Sequence, residues 1–359
     1  MKEIYSRRLV VRSAGRIFIL GLAVFLSLAP SLAGAEGEAL TRNIIKVAAV
    51  GDVMMGTENL LPPDGGAGLF TASRPYLRQG DIVFCNHEGT LTDQGRPTKK
   101  SVSGRAYCFR TPPHYVRFLD EAGFNMVSIA NNHINDYGPK GKQMTMAILK
   151  KQGIAFSGPP GTVAGLTVRG IKVVMAAFHS SAHSHWLIDI PGAKRIVAGL
   201  AKDNDIVIVS FHGGKEGQGA VRTPREMEFF FGERRGEVVK FSRAVIDSGA
   251  DLVIGHGPHV PRAMEVYKGR LIAYSLGNFC TGKGISVKGY AAYAPLLLAE
   301  LTPDGRLAGG RVVSFFQTFG RPPILDKNNR AARLIHDLGR RDFPQSNAVT
   351  GDGNLIPPK

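Results

Sequence analysis

Short runs of apolar and β-branched residues, bounded by glycine and polar clusters, recur along the chain from residue 45 onward. Runs of this length are typical of buried β-strands, and they predict strands at 45–50, 81–85, 124–130, 171–178, 205–211, 251–255 and 271–275. Between several of them apolar residues recur at helical spacing, which predicts helices at 114–121, 141–152, 193–202 and 224–248. Strands that alternate with helices indicate an α/β sheet sandwich.

The pattern changes in the C-terminal third of the chain. Lys268-Gly269 and Pro303-Asp304-Gly305 each separate two strand-like runs, and turn sequences of this kind predict antiparallel hairpins. From about Asp326 onward the chain is polar and contains proline. We therefore expect a peripheral helix followed by a flexible tail over 326–359.

The first 35 residues have the layout of a secretory signal peptide. Five basic residues between Lys2 and Arg16 precede an apolar run over 17–29, and Ala33-Gly34-Ala35 forms a small-residue cleavage site. We expect either a cleaved signal peptide or a retained signal anchor, and hence an exported protein in the periplasm or on the extracellular face of the cytoplasmic membrane. The main domain would then span 36–325.

Composition and charge narrow the classes of partner. Of the 359 residues, 43% are hydrophobic and 21% charged, which excludes a disordered chain and allows a sizeable core. Residues 36–359 carry 40 basic and 28 acidic side chains. Outside the cytoplasm such a surplus suits an anionic envelope polymer or a lipid head group, and we expect no nucleic acid. A basic surface that only keeps the protein soluble is the alternative.

Polar side chains follow six of the predicted strands directly, and in α/β sheets ligands gather at the carboxyl ends of strands. These side chains belong to Asp52, Glu88, Asn131, Asn132, His133, His212, His256, His259 and Asn278. Carboxylates, amides and imidazoles together suit a divalent ion such as Mn²⁺, Zn²⁺, Fe²⁺ or Mg²⁺. We expect one or two ions per chain, and Glu88 is the best candidate to bridge a pair.

These residues lie in stretches that resemble the CapA-type poly-γ-glutamate capsule biosynthesis family, whose fold is similar to that of the calcineurin-like metallophosphoesterases. The matching stretches follow the order of the family and span most of the chain beyond the signal segment. They are 51–56, 86–92, 128–133, 136–138, 209–216, 255–259 and 274–279.

The resemblance implies a four-layer α/β/β/α sandwich like that of metallo-dependent phosphatases, with a metal centre at its top edge. It implies metal-ligand roles for Asp52, Glu88, Asn132, His212, His256 and His259. His133 would protonate a leaving oxygen, and Asp136 would orient His133. For substrate contacts we expect Asn131, Glu216 and Asn278.

The chain departs from the family pattern at three positions. His87 stands where the family usually has leucine, Gly213 stands where tryptophan is common, and Gly217 replaces an aromatic residue that often follows the glutamate. The chain also lacks the Asp-x-His of the phosphoesterases in its first motif. The two lost aromatics concern the pocket wall rather than the metal ligands.

Two functions are compatible with these residues. The first is an extracytoplasmic, divalent-metal-dependent hydrolase that uses a metal-activated water on a phosphoester or related bond of a phosphorylated envelope substrate. The second is a non-catalytic accessory protein that binds an anionic polymer such as poly-γ-glutamate during assembly or export, within a membrane synthase complex. The cluster of ligands motivates the first, and the surplus of positive charge motivates the second.

Overall fold

The secondary structure is known for residues 43–58, 60–99 and 107–358, which the computed structural model describes. The strands, in chain order, are β1 (Ile45–Val53), β2 (Ile82–His87), β3 (Thr90–Leu91), β4 (Arg110–Thr111), β5 (Met126–Ser128), β6 (Ala155–Ser157), β7 (Ala164–Val168), β8 (Ile171–His179), β9 (His185–Trp186), β10 (Ile206–His212), β11 (Glu228–Phe230), β12 (Glu233–Gly236), β13 (Leu252–His256), β14 (Met264–Tyr267), β15 (Arg270–Ala273), β16 (Asn278–Cys280), β17 (Tyr293–Leu301), β18 (Leu307–Phe316) and β19 (Ile324–Leu325). The α-helices are α1 (Arg74–Leu77), α2 (Val116–Ala122), α3 (Gly138–Lys151), α4 (Ile190–Asp203), α5 (Val238–Ile246) and α6 (Arg330–Asp342).

Two large sheets form the centre of the fold. The first has the order β19-β18-β17-β1-β2-β5-β6, with β16 also paired to β1, and the second has the order β14-β15-β13-β10-β8-β7, with β9 paired to β8. Strands β1, β2, β5 and β6 run parallel, as do β8, β10, β13 and β15. The carboxyl ends of several strands therefore lie together at one edge of each sheet.

Alternating side chains divide the molecule into four layers. Val47 of the first sheet and Ile208 of the second belong to one apolar core between the sheets. Ala48, on the opposite face of β1, packs with residues of α1, α2 and α3. Val209 points away from the centre in the same way and packs with residues of α4 and α5. This α/β/β/α arrangement confirms the expected sandwich.

The seven predicted strands and the two C-terminal hairpins, β14–β15 and β17–β18, are present. The helix predicted over 224–248 is wrong in its first half, where β11 and β12 form a short hairpin before α5 begins. The chain reverses at Phe231 and Gly232, whose φ angles of 47° and 82° are incompatible with a right-handed helix. The run of three phenylalanines that ends in this turn also favours strand over helix.

The C-terminal segment is part of the packed fold. Helix α6 buries Ile335 in the core between the sheets, and it contacts β17 and β18 of the first sheet and β14 of the second. It therefore closes one side of the sandwich instead of lying peripherally. Beyond it, Val349 and Leu355 are buried and paired by an isolated bridge. In the described residues, packed chain stands where the flexible tail was expected to follow the helix, because these apolar side chains cover the open side of the core.

The expected signal segment over 1–35 lies outside the described residues, and the boundaries of the 36–325 domain stay a prediction. The described residues belong to one compact unit, Leu40–Lys359. Within the described ranges, no helix has both the length and the apolar character that crossing a bilayer demands.

Candidate metal centre

The two sheets bring polar residues to one level at the carboxyl ends of their strands. In the first sheet Asp52 is the Cα partner of Asn86 on β2 and of Asn278 on β16. In the second sheet three histidines pair across β8, β10 and β13, namely His179, His212 and His256. The sheets meet here, since Oδ1 of Asp52 is 4.0 Å from Nδ1 of His212.

A compact group of ligand atoms occupies this meeting point. Asp52, Glu88 and His212 each contribute one atom to a group in which the atoms lie within 4.8 Å of one another. Nδ1 of His256 lies 3.6 Å from Oδ1 of Asp52. His259 reaches both acids, with Nδ1 3.1 Å from Oδ2 of Asp52 and Nε2 3.7 Å from Oε1 of Glu88. Five of the six expected ligands are therefore neighbours.

A tight turn after β13 positions His259. Gly257 adopts a φ of 113°, and a Cβ atom there would lie 2.7 Å from the carbonyl oxygen of Gly213. His259 itself has a φ of 61°, an uncommon value for a residue with a side chain. At Gly213, an added Cβ would lie 2.7 Å from the carbonyl oxygen of Arg235, so the backbone leaves no room for the tryptophan common in the family.

Burial governs the protonation of the cluster. It raises the pKa of Glu88 well above its ordinary value and lowers that of His212 well below it. Burial also lowers the pKa of His256 to about 4. Burial opposes a charge on His259, but the carboxylates of Glu88 and Asp52 outweigh it and raise the pKa of His259 to about 10. The two acids thus favour a positive charge beside them.

The buried polar atoms of the cluster that lack hydrogen bonds indicate whether a metal ion fits. Among the described residues, no hydrogen bond is made by either carboxylate oxygen of Glu88, by Oδ2 of Asp52, by Nε2 of His212 or by either ring nitrogen of His256. Buried polar atoms normally find a hydrogen-bond partner. An oxygen and nitrogen set of this kind, with no thiolate, matches the ligand preferences of a hard or borderline divalent cation. The residues present therefore fit one or two such ions.

The segment after β5 supplies two asparagines with different environments. Oδ1 of Asn132 is buried and has no hydrogen-bond partner among the described residues, so it is free to act as a ligand. Asn131 differs, because its Nδ2 donates to Oδ1 of Asn86 at 3.1 Å and to the carbonyl of His87 at 2.9 Å. Its Oδ1 accepts from the backbone N–H of His133. Asn131 therefore braces the site and does not present the free amide expected for a substrate contact.

His133 lies beside the cluster in a well-defined orientation. Its Nδ1 is 2.7 Å from Oδ2 of Asp136, and its Nε2 is 3.7 Å from Oε1 of Glu88. The imidazole stacks on Phe109 with ring centroids 4.2 Å apart. Burial lowers the pKa of His133, while the hydrogen bond to Asp136 counteracts that effect. The structure thus places the expected acid and its orienting carboxylate in direct contact.

The other two expected substrate contacts differ in accessibility. Asn278 is fully buried, with Oδ1 3.0 Å from Nδ1 of His259 and Nδ2 donating to the carbonyl of Ala291. It therefore holds His259 and cannot also reach a substrate. Glu216 lines a cavity beside the cluster. Its Oε2 lies 3.9 Å from Nε2 of His259, and its Oε1 pairs with Arg235 at 2.8 Å.

Several residues of the site were not predicted from the sequence. His179 ends β8, is buried, and lies with its ring 5.5 Å from that of His212. Its position directly after an apolar run was a usable signal. Arg235 is also buried, but the sequence pattern placed it inside the helix predicted over 224–248. Lys99, whose Nζ is 2.6 Å from Oδ1 of Asp136, carries no local signal at all.

A cavity of about 310 Å³ opens beside the cluster. Its lining includes His133 and His259, together with Glu216, Phe109 and Ile285. A molecule in this cavity could approach both the ligand cluster and Nε2 of His133. The arrangement therefore combines candidate ligands for cations, a histidine held beside them and a cavity that reaches both.

Comparison with known sequences identifies relatives over most of the described chain. The family profile described as bacterial capsule synthesis protein PGA_cap matches residues 46–283. The PGA biosynthesis protein CapA of Bacillus subtilis (strain 168) is 27% identical over 261 residues, covering 67% of this chain and 64% of that protein. The capsule biosynthesis protein CapA of Bacillus anthracis is 28% identical over 271 residues, covering 69% and 61%. This chain thus spans less than two thirds of the length of these relatives.

Among solved structures, the 5'-nucleotidase precursor from Thermus thermophilus aligns with a TM-score of 0.45 and 12% sequence identity. The alignment covers 83% of this chain and 59% of that one. A likeness at this level supports no argument of its own. The sandwich architecture rests on the two sheets and three cores of the chain itself.

Proposed function

Because the chain belongs to the bacterial capsule synthesis protein family, we propose that it is a divalent-metal-dependent hydrolase of capsule or poly-γ-glutamate biosynthesis. The bond attacked is a phosphoester or a related bond of an anionic envelope substrate. One observation carries this proposal: buried ligand atoms of Asp52, Glu88, His212 and His256 have no hydrogen-bond partners among the described residues and converge from two sheets.

The side chains of the cluster would bind the metal ions. Asp52, Glu88, Asn132, His212, His256 and His259 would hold one or two divalent ions. Such ions supply Lewis acidity and lower the pKa of a water towards neutrality, which provides a nucleophile at physiological pH. The chain determines where a substrate lies relative to these ligands, because His133 and His259 line the cavity beside them.

His133 supplies the proton for the leaving oxygen. Asp136 accepts the hydrogen bond from Nδ1, so when the imidazole is doubly protonated its second proton lies on Nε2, which is 3.7 Å from Oε1 of Glu88. Lys99 pairs with the second oxygen of Asp136 at 2.6 Å, and the backbone N–H of Phe109 donates to the first at 2.7 Å. These contacts hold the carboxylate in place, and stacking on Phe109 holds the imidazole plane.

The proposal extends to location and partners. The layout of residues 1–35 supports export to the periplasm or to the extracellular face of the cytoplasmic membrane. The two CapA relatives are named for biosynthesis of PGA or capsule. An anionic polymer as substrate, and a membrane synthase complex as assembly partner, agree with those names and with the basic surface.

A second function is that of an accessory protein that binds the polymer without turnover. The surplus of 12 positive charges over residues 36–359 favours it, since an anionic chain would be attracted without any chemistry. The two functions differ in what the ligand cluster does. Only the hydrolase needs both a bound ion and His133.

The test combines metal content with turnover. The full chain, loaded with Mn²⁺ or Zn²⁺ and dialysed, should retain metal and hydrolyse bis(p-nitrophenyl) phosphate. Glu88→Ala should lose both properties, whereas His133→Ala should keep the metal and lose turnover by about 10²-fold or more. The exposed His114→Ala is the matched control and should change neither. A chain that retains no metal would refute the hydrolase, and metal with no turnover would favour the accessory function.

A further inference from the structure

A groove leads away from the candidate metal centre. The cavity at His133 and His259 adjoins a second of about 500 Å³, and both are lined by Tyr107, Ile285 and Ser286. The second adjoins a third of about 340 Å³, with Phe316 lining both. Through these shared lining residues the three cavities lie side by side along the segment that follows β16. A substrate no larger than a single phosphodiester would occupy only the first of them.

The groove beyond the metal centre is positively charged. Lys283 and Lys288 line the second cavity, are exposed, and have no salt-bridge partner in the described ranges. Among the described residues that line the second and third cavities there is no aspartate or glutamate. Arg330 lines the far end, where its guanidinium lies 4.0 Å from the ring centroid of Phe316 and pairs with Asp326 at 3.0 Å. Two unpaired cations in a groove without acids attract an anion.

The walls of the groove are apolar between these charges. Tyr107 is 55% exposed, Phe319 60% and Tyr290 43%, although large hydrophobic side chains are usually covered. Exposed apolar groups collected along one groove mark a binding surface. A polyphosphate, which is charged at every unit, would leave these rings without apolar contact. A polycarboxylate chain combines spaced charges with uncharged methylene and amide segments, so it matches both features.

We propose that this groove, defined by Tyr107, Lys283, Ile285, Lys288 and Phe316, binds an extended polycarboxylate chain and leads it to the metal centre. This proposal rests on the proposed function only for the site at which the polymer would be hydrolysed. The binding itself does not depend on turnover. The ammonium groups of Lys283 and Lys288 attract carboxylates of the polymer, while the aromatic walls cover its uncharged stretches.

The test is a binding measurement on the full chain with fluorescently labelled poly-γ-glutamate as probe. The double variant Lys283→Ser/Lys288→Ser should weaken binding by about tenfold, the combined effect of two exposed charge contacts. The control double variant Lys150→Ser/Lys194→Ser removes the same charge from the exposed surfaces of α3 and α4 and should bind as the wild type does. Unchanged melting temperatures show that each variant folds.

Three outcomes would contradict the proposal that this groove binds the polymer. Equal weakening in the two double variants would mean that only net charge attracts the polymer. Unchanged binding in the groove variant would place the polymer elsewhere, and tighter binding of polyphosphate than of poly-γ-glutamate at matched charge would contradict the role of the apolar walls. Failure of the proposed hydrolase function is distinguishable from failure of this proposal, because a protein without phosphodiesterase activity can still bind polymer through Lys283 and Lys288.

Discussion

His87 offers a sharp test of how burial governs this protein. It ends β2, is fully buried, and neither ring nitrogen has a hydrogen-bond partner among the described residues. Burial lowers its pKa from 6.5 to about 4. Between these values the unfolded chain carries a proton on this histidine and the folded chain does not. Stability therefore falls as the pH drops below 6.5, and the loss is complete near pH 4.

The magnitude follows from the two pKa values. Each tenfold step in protonation is worth about 1.4 kcal/mol, so His87 costs up to about 3 kcal/mol of folding stability at pH 4 and about 2 kcal/mol at pH 5. His87→Leu introduces the residue usual at this position in the family and removes this cost. It also removes two unpartnered nitrogens, so the free energy of unfolding at pH 7.5 should be equal to that of the wild type or higher.

Urea titrations at pH 7.5 and pH 5, in the presence of a chelator, measure the effect. The free energy of unfolding should decrease between the two pH values by about 2 kcal/mol more in the wild type than in His87→Leu. The exposed His114→Leu is the matched control and should behave as the wild type does. An identical pH dependence in wild type and His87→Leu would refute the reasoning, since it would mean that His87 is protonated equally in the folded and unfolded chains.

Two further predictions concern the support of the site. Asp136→Asn should lower phosphodiester turnover by about 10²-fold while metal content by elemental analysis stays that of the wild type, because it disturbs the 2.7 Å contact that orients His133; full activity would contradict the assigned role. Arg262 is buried and pairs with both oxygens of Glu228, at 2.8 and 2.7 Å. Arg262→Met leaves that carboxylate buried without its cation and should lower the free energy of unfolding by about 3–5 kcal/mol, measured by urea titration. Adding Glu228→Leu should recover part of this loss, and no recovery would show that the pair is not the cause.

Local patterns in the sequence were sufficient for the elements of the fold. The apolar run over 205–211 becomes β10, and the turn at Lys268-Gly269 joins β14 to β15. Such features depend on residues that are neighbours in the chain, so a short window contains the information. The same holds for the types of ligand that follow each strand, such as His212 after β10. Prediction from short stretches of sequence was wrong where strand and helix patterns overlap, as in the phenylalanine run before Gly232.

Only the tertiary structure decided which of these residues meet and what each one touches. Asp52 and His212 lie 160 positions apart in the chain, and their proximity depends on the strand order and register of two sheets. The same packing turned Asn278 from an expected substrate contact into a support for His259. It also brought Lys99 to Asp136. Contacts of this kind arise from the pairing of distant strands and leave no signature in the adjacent sequence, so they had to be read from the folded chain.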